Sequence, residues 1–333
     1  MLVLRNTYRD NDDMQRSRPR IKLLLPALLI LLAAVGLYGI LPQIGSFSTS
    51  LHIVGQAAPT YVILAFGATC IAYICAATTY TLLSLKRLRF SDTLIVQLSG
   101  LLINRLLPAG IGGLGLNFAY LKAHKHTNVQ ATTVVTLNNG VGFIGHILLI
   151  AGMVLINPSV ISSFELSRQQ LFIGLIVLLA GVAAIYIVMT LKHAKVQLWR
   201  KRIIVQFQAA LIHYSRRPGR LLLAVAVSCG LTLSNTLCLW LCGQALGLDI
   251  SFFAVFMLFS LGVAAGTAVP TPGGLGAVEV AIVAGMIAQS VPSALALATV
   301  LLYRLLSFWL GLLIGAIASI WMGRRQLLRT VSN

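Results

Sequence analysis

The stretch PTPGGLG (residues 270–276) interrupts a long apolar segment, and PAGIGGLG (residues 108–115) interrupts an earlier one. Each break separates two hydrophobic segments too short to cross a bilayer, and a full-length hydrophobic segment follows each pair. Irregular backbone within hydrocarbon leaves N–H and C=O groups unpaired, so it persists only against protein or a polar cavity. Broken hydrophobic hairpins at matching places in two halves of a membrane protein indicate a transport site near the bilayer midplane.

The composition is that of an integral membrane protein. Of the 333 residues, 58% are hydrophobic and 10% are charged, and the mean hydropathy is +0.91. A hydrocarbon core about 30 Å thick needs about 20 apolar residues per helix. Six segments reach that length: Leu23–Leu41, Tyr61–Leu85, Ala131–Ile156, Leu171–Leu191, Leu221–Leu246 and Ala294–Met322. The leader before the first segment lacks a clear small-residue cleavage site, so this segment is expected to remain as an anchor.

Basic residues concentrate in loops that share one side if the six long segments cross in turn. The net charge is +18, and the basic clusters lie in the leader, at 86–89, at 122–125, between 192 and 220, and at 324–329. The positive-inside rule then places both termini in the cytoplasm and the protein in the cytoplasmic membrane. This distribution argues against nucleic-acid binding, which so high a charge would suggest in a soluble protein.

With this orientation the two hairpins have opposite senses. The first, about Asp92 to Ala123, begins and ends on the basic side, and the second, about Ser251 to Gln289, begins and ends on the other. A long helix follows each, so an inverted repeat is predicted over residues 92–157 and 251–322. The predicted fold class is an all-α polytopic membrane protein with six full transmembrane helices and two re-entrant helical hairpins. The alternative is two ordinary pairs of short helices with small-residue packing turns.

The chain divides into a basic cytoplasmic leader (1–20), a transmembrane domain (21–325) and a short cytoplasmic tail (326–333). Within the domain, apolar residues recur at three- and four-residue spacing over about 195–215, with basic residues close by. This pattern predicts an amphipathic helix on the anionic cytoplasmic leaflet. A topological anchor and a contact with a partner protein are both consistent with it.

Glu279 is the one acid, of seven, that lies well inside an apolar stretch. An ionisable group there costs at least about 2.5–3.5 kcal/mol to insert, so a partner or a wet cavity is expected. Arg304, near the middle of the last long segment, is the predicted partner. The pair is either a structural clamp between hairpin and helix, or it opens so that Arg304 binds a lipid phosphate with its planar fork.

Arg105, at the tip of the first hairpin, has no acid nearby in the sequence. A substrate phosphate is one candidate partner, and snorkelling toward the cytoplasmic interface is the alternative. Glycine-rich turns that enter helices also present N–H groups to an anion. Asn138, Asn139 and His146 either line the cavity or hydrogen-bond between helices. The candidate substrate-binding residues are therefore Asn104, Arg105, Pro108, Gly110, Gly112, Gly113, Asn139, Pro270, Pro272, Gly273, Gly274, Glu279 and Arg304.

The sequence offers little support for catalysis. It has no pair of acids within the membrane segments and no Gly-x-Ser-x-Gly motif. Cys238 and Cys242 lie four residues apart, but without a nearby His or acid they indicate core packing rather than a metal site. We expect no cofactor and no metal, and a transporter rather than an enzyme.

The run Pro270-Thr271-Pro272-Gly273-Gly274-Leu275-Gly276-Ala277-Val278-Glu279, followed by Tyr303-Arg304, resembles the signature of the lysylphosphatidylglycerol synthase transmembrane family. The resemblance covers roughly residues 20–325 and implies a flippase-like membrane domain. It also implies lipid translocation or a role in envelope lipid and glycolipid metabolism. Fused members of that family carry a soluble aminoacyl-transfer domain, which we expect to be absent here, so the synthase activity is not carried over.

These observations predict a lipid flippase that moves a phospholipid or a polyprenyl-linked lipid between the leaflets of the cytoplasmic membrane. The expected partners are lipids with phosphate headgroups, and not nucleic acid. Envelope-synthesis enzymes and a second copy of the chain are further candidates. A non-transporting accessory subunit of envelope lipid or glycan synthesis is the alternative function. A membrane enzyme acting on a lipid headgroup is a weaker alternative.

Overall fold

The computed structural model describes residues 44–106, 111–157, 205, 214, 218–268, 271 and 273–328. This part of the chain is helical and contains no strand. We number its nine continuous helices in chain order: α1 (Ile44–Gly55), α2 (Pro59–Leu83), α3 (Phe90–Leu106), α4 (Ile111–Ala123), α5 (Asn128–Ile156), α6 (Pro218–Ala245), α7 (Phe252–Ala268), α8 (Ala277–Ala288) and α9 (Ser293–Arg324).

Four of these helices are long and apolar enough to cross a membrane: α2, α5, α6 and α9. They correspond to four of the six predicted spans. The other two, 23–41 and 171–191, lie outside the described residues, as do the leader and all but two residues of the predicted amphipathic helix. The all-helical membrane architecture is therefore confirmed, and the count of six remains a prediction.

Two pairs of short helices occupy the positions predicted for the hairpins. In the first pair α3 has 17 residues and α4 has 13, and in the second α7 has 17 and α8 has 12. At 1.5 Å per residue these helices span about 18–25 Å, less than a hydrocarbon core of about 30 Å. Within each pair the two helices pack side by side.

The loops at one end of the molecule contain the described basic clusters. Asp92, in the first turn of α3, pairs with Arg325 just after α9 (Nη1 to Oδ1, 2.9 Å). Ser84, which follows α2, hydrogen-bonds His126 in the α4–α5 loop at 3.1 Å. The first hairpin therefore begins and ends at this basic end, beside the end of α9.

A second set of contacts defines the opposite end. The backbone N–H of Ala58, before α2, donates to the carbonyl of Ala245 at the end of α6 (2.8 Å). The hydroxyl of Ser50 in α1 donates to the carbonyl of Ala294 at the start of α9 (2.9 Å). Because α7 follows α6 and α8 precedes α9, the second hairpin begins and ends here. The two hairpins thus enter the molecule from opposite ends.

The long helices α2 and α6 pack along each other through the centre of the molecule. The first hairpin is held against α9, because α3 packs on its C-terminal half. Gly315 makes that approach close: a Cβ there would lie 2.7 Å from the backbone nitrogen of Leu102. The corresponding helices α7 and α5 are instead separated over most of their length, and a cavity lies between them.

Candidate functional site

The loop of the second hairpin uses backbone conformations that favour glycine. Gly273, Gly274 and Gly276 have φ angles of 62°, 70° and 84°, a region that L residues with a Cβ rarely adopt. Gly273 is also sterically confined, since a Cβ there would lie 2.5 Å from Cε2 of Phe308. The glycines therefore let the hairpin tip press directly against α9.

Phe308 lies in a π-helical turn, Leu305–Trp309, within α9. Such a turn inserts one extra residue into an α-helix and is frequent at functional sites. Two guanidinium groups lie over the buried Phe308 ring, that of Arg105 at 4.5 Å and that of Arg304 at 5.8 Å from the centroid. Phe308 is therefore the point at which the first hairpin tip, the second hairpin tip and α9 meet.

Arg105 is anchored at this junction by contacts with α3 and α9. Its Nη1 donates to the carbonyl of Leu101 at 3.1 Å, and its Nη2 donates to the carbonyl of Ser307 in the π turn. A carbonyl in a π turn is available because the usual helical bonding pattern is interrupted there. The guanidinium thus joins α3 to α9 through neutral acceptors and remains a positive charge.

The predicted Glu279–Arg304 pair is present. Nε of Arg304 lies 2.7 Å from Oε1 of Glu279, and the two side chains are 12% and 17% exposed. The N–H is not aligned with that oxygen, so the contact is ionic without a well-directed hydrogen bond. Nη2 of Arg304 and Oε2 of Glu279 are buried and have no hydrogen-bond partner among the described residues. Buried polar groups are normally satisfied, so this pair has unused capacity to bind a ligand.

A cavity of about 870 Å³ begins at Arg304 and extends between α5, α6 and α7. Its size lies in the range of binding sites for small molecules, roughly 300–1,000 Å³. Along α5 it runs from Asn138 to Ile150, which is about 18 Å at 1.5 Å per residue. Phe143 and Ile147, which line it, are 69% and 48% exposed. Among the described residues the cavity is therefore open on one side rather than enclosed.

The other predicted site residues fall into three groups. Asn139 lines the cavity, as do Asn138 and His146. Asn104, Gly112 and Gly113 serve the packing of α3 on α4: the Asn104 amide oxygen accepts from the Gly113 N–H at 2.5 Å, and a Cβ at Gly112 would meet the Ile103 carbonyl. Pro108, Gly110, Pro270 and Pro272 lie outside the described residues.

Sequence reasoning missed the polar groups that α6 and α7 bring to the cavity, and it missed Phe308. Asn235 on α6 and Ser260 on α7 line the cavity. Ser228, Thr232 and Asn235 follow three- and four-residue spacing, a signal that marks one helix face. Nothing in the sequence marks Phe308, because its role depends on the π turn.

No group of three or more His, Cys, Asp or Glu residues that could hold a metal ion occurs in the described ranges. Cys238 and Cys242 are fully buried, and the Thr69 hydroxyl donates to the Cys238 sulfur at 3.3 Å. These two cysteines belong to the main apolar core.

Comparison with known proteins agrees with these features. Residues 20–315 match the family described as the lysylphosphatidylglycerol synthase TM region. A UPF0104 membrane protein of Methanothermobacter thermautotrophicus is 37% identical over 87 residues, which cover 26% of this chain and 26% of that protein. The match thus spans about a quarter of the length of that curated relative. Because the family match extends over most of the sequence, the chain belongs to the lysylphosphatidylglycerol synthase transmembrane family.

Proposed function

We propose that this protein is a lipid translocase that moves a phosphate-bearing lipid between the leaflets of the cytoplasmic membrane. The observation that carries the proposal is the Glu279–Arg304 pair, which has buried, unpartnered atoms and whose arginine borders one end of the cavity. A charged pair inside a membrane domain marks a substrate or ion pathway by default. Arginine suits a phosphate because its fork donates two parallel hydrogen bonds.

The charges around Phe308 favour an anion. Arg105 and Arg304 contribute two positive charges and Glu279 contributes one negative charge, so the described cluster carries one net positive charge. A single phosphodiester would neutralise it. Arg304 borders the cavity and Arg105 does not, so the headgroup would meet Arg304 first and reach Arg105 only when the hairpin tips part.

In this account the hairpins are re-entrant and belong to an inverted repeat. Two facts support it. The hairpins enter from opposite ends of the molecule. The helix pairs that correspond in the two repeats also differ, because α3 packs against α9 whereas a cavity separates α7 from α5. Alternating access requires such an asymmetry to reverse as the substrate crosses. The basic end would face the cytoplasm. The protein would act as a transporter rather than an enzyme, and its primary partners would be lipids.

Leaflet exchange in reconstituted vesicles tests the proposal. Phosphatidylcholine vesicles would carry a trace of phosphatidylglycerol with a fluorescent headgroup, and a membrane-impermeant reductant would bleach the outer leaflet. We expect the parent protein to raise bleaching above half of the probe, and Arg304→Gln and Glu279→Gln to reduce the exchange rate at least about tenfold. Arg220→Gln, a matched change at the exposed start of α6, should leave the rate unchanged.

A rate equal to that of empty vesicles, with this probe and with a polyprenyl-phosphate sugar, would contradict the proposal. It would instead favour an accessory subunit that binds envelope-synthesis enzymes. Equal rates in the parent and in folded Arg304→Gln would place the pathway elsewhere in the molecule.

A further inference from the structure

The walls of the cavity carry a regular pattern of uncharged polar groups. Among the described helices, α5, α6 and α7 each line it with one face at three- and four-residue spacing, as expected for residues that share a helix face, and α2 does so with Ala76, Thr79 and Tyr80. The lining residues that carry this pattern are Asn139, Gly142, Phe143 and His146 on α5, Ser228, Leu231, Thr232 and Asn235 on α6, and Ser260, Val263, Ala264 and Thr267 on α7. Each face includes at least one amide, imidazole or hydroxyl group.

These polar groups are partly satisfied within the protein and retain capacity for a ligand. Asn139 and Asn235 each donate one amide N–H to a carbonyl of their own helix, at 2.8 and 2.9 Å. The hydroxyls of Ser260 and Thr267 donate to carbonyls in α7, at 2.9 and 2.8 Å. Each amide keeps one N–H and its oxygen, and each hydroxyl keeps its acceptor lone pairs. The cavity therefore presents donors and acceptors side by side. Because each of these groups already has one hydrogen bond within the protein, the empty cavity carries no large free-energy penalty for unsatisfied polar groups.

Gln97 on α3 adds a fourth side-chain amide to the lining, after Asn138, Asn139 and Asn235. Its Nε2 donates to Oδ1 of Asn117 at 2.7 Å, so its side-chain oxygen remains as an acceptor. Groups that both donate and accept suit a ligand with several hydroxyls, because each hydroxyl also does both. A bare phosphate only accepts and would leave the amide and hydroxyl oxygens of the wall unpaired.

The charges of the cavity limit the headgroup further. Arg304 is the only lining residue with a full charge among the described residues, and Glu279, whose Oε1 lies 2.7 Å from Arg304, does not itself border the cavity. A cationic aminoacyl headgroup would find no free carboxylate in the described wall. A headgroup with several negative charges would find a single arginine in the described wall. Desolvating unpaired charges is costly, so one phosphate with an uncharged extension fits best.

We infer that the cavity selects lipids whose single phosphate carries an uncharged, hydroxyl-rich group, such as inositol or a sugar. This inference rests on the proposed function for its biological use, but binding at equilibrium tests it separately. Arg304 takes the phosphate, the amides of α3, α5 and α6 and the hydroxyls of α7 take the polyol, and Phe143 and Ile147 border the path of the lipid tail.

Native mass spectrometry of the full chain in detergent measures the selection directly. The probes are phosphatidylinositol, phosphatidylcholine and lysyl-phosphatidylglycerol with identical acyl chains, and a polyprenyl-phosphate hexose to separate a diacyl tail from a polyprenyl tail. We expect phosphatidylinositol to bind at least about tenfold more tightly than the choline and lysyl lipids. The ratio of the two polyol lipids then reports which tail is preferred.

Variants of the cavity-lining residues test whether these residues cause the preference for phosphatidylinositol. Asn139→Leu combined with Asn235→Leu should reduce the preference for phosphatidylinositol to near parity, because both changes keep the branching at Cγ and remove the hydrogen-bonding groups. Ser260→Ala combined with Thr267→Val should weaken it independently if the first variant does not fold. The matched control, Thr78→Val with Ser319→Ala, removes two hydroxyls that bond their own helices and do not line the cavity. It should keep the preference.

The outcomes separate this inference from the proposed function. Equal binding of all lipids, or tighter binding of the lysyl lipid, would overturn the inference even if exchange is observed. A preference for polyol lipids that both wall variants retain would also overturn it. A preference that depends on the wall, without any leaflet exchange, would support the inference and contradict the translocase proposal.

Discussion

At the scale of single residues, the junction at Phe308 combines contacts that no local pattern encodes. The Glu279–Arg304 pair was predictable, because an acid inside an apolar stretch requires a partner and few basic residues lie within the other apolar segments. Of the two reasons for a glycine at position 273, only one was predictable from the sequence. Its positive φ follows from a glycine-rich turn, but the close approach to Phe308 depends on where the π turn places that ring.

Replacement of Gly273 by alanine tests this junction. Gly273→Ala adds backbone strain at φ 62° and a contact of 2.5 Å with Phe308, so we expect a destabilisation of about 2–4 kcal/mol. In a Phe308→Ala background the steric part disappears and the same change should cost about 1–2 kcal/mol. Thermal unfolding in detergent measures both. Equal costs in the two backgrounds would show that Gly273 and Phe308 do not interact.

His126, in the α4–α5 loop, predicts a pH dependence of stability. It is 2% exposed, its Nδ1 donates to the Leu121 carbonyl at 3.0 Å, and its Nε2 accepts from the Lys86 backbone N–H at 3.3 Å. Burial lowers the pKa of this imidazole below its ordinary value, and the positive charge of Lys86 contributes in the same direction. The unfolded chain, with a His pKa of about 6.5, therefore binds more protons than the folded one.

Stability should consequently fall as the pH drops below about 7 and through the unfolded pKa, and level off below the folded pKa. The unfolding midpoint between pH 8 and pH 5 measures this. His126→Gln should flatten the profile in this range, and the exposed His52→Gln should not. An unchanged slope in His126→Gln would assign the dependence to another group.

At the scale of elements, the paired short helices followed by long ones were predictable from segment lengths and glycine breaks. The π turn in α9 was not, because an extra residue in a continuous apolar helix leaves no mark in the sequence. The contacts between helices could not be predicted from the sequence either. Gly315 packs against Leu102, whereas Gly152 in α5 has nothing within 4 Å of an added Cβ, although both are glycines in apolar helices.

These two glycines should respond to alanine in opposite directions. Gly152→Ala should raise the stability by about 0.5–1 kcal/mol, because glycine in a helix costs conformational entropy. Gly315→Ala should lower it by about 1–3 kcal/mol, because its Cβ would overlap the α3 backbone. Unfolding midpoints of the two variants, compared with the parent, provide the measurement. Stabilisation by Gly315→Ala would mean that α3 does not lie against α9 as closely as described.

At the scale of the whole molecule, the described clusters of basic residues lie at one end, which the charge pattern anticipated. The asymmetry between a closed α3–α9 contact and an open α5–α7 cavity could not be anticipated, since both halves have similar hydrophobic patterns. In the mechanism that we propose, this asymmetry would let the site face one side at a time. Its use in transport remains our proposal.

The orientation of the molecule is testable with single cysteines in a background whose five native cysteines are replaced by alanine. Lys125→Cys lies in the α4–α5 loop at the basic end, and Ser290→Cys lies in the α8–α9 loop at the other. By the positive-inside rule, a membrane-impermeant maleimide should label Ser290→Cys in right-side-out vesicles and Lys125→Cys only in inverted ones. Labelling of both from the same side would contradict the assignment of opposite ends.

The measurement that tests the central claim most directly is leaflet exchange by the charge-swapped variant Glu279→Arg/Arg304→Glu. The swap keeps one guanidinium and one carboxylate at the two positions that pair in the parent protein, but it places a carboxylate where the phosphate would be bound. Our account predicts an unfolding midpoint above those of the two single variants together with exchange at the rate of empty vesicles. Recovery of the parent exchange rate by the swapped protein would contradict it, because the pair would then serve only as a clamp between α8 and α9.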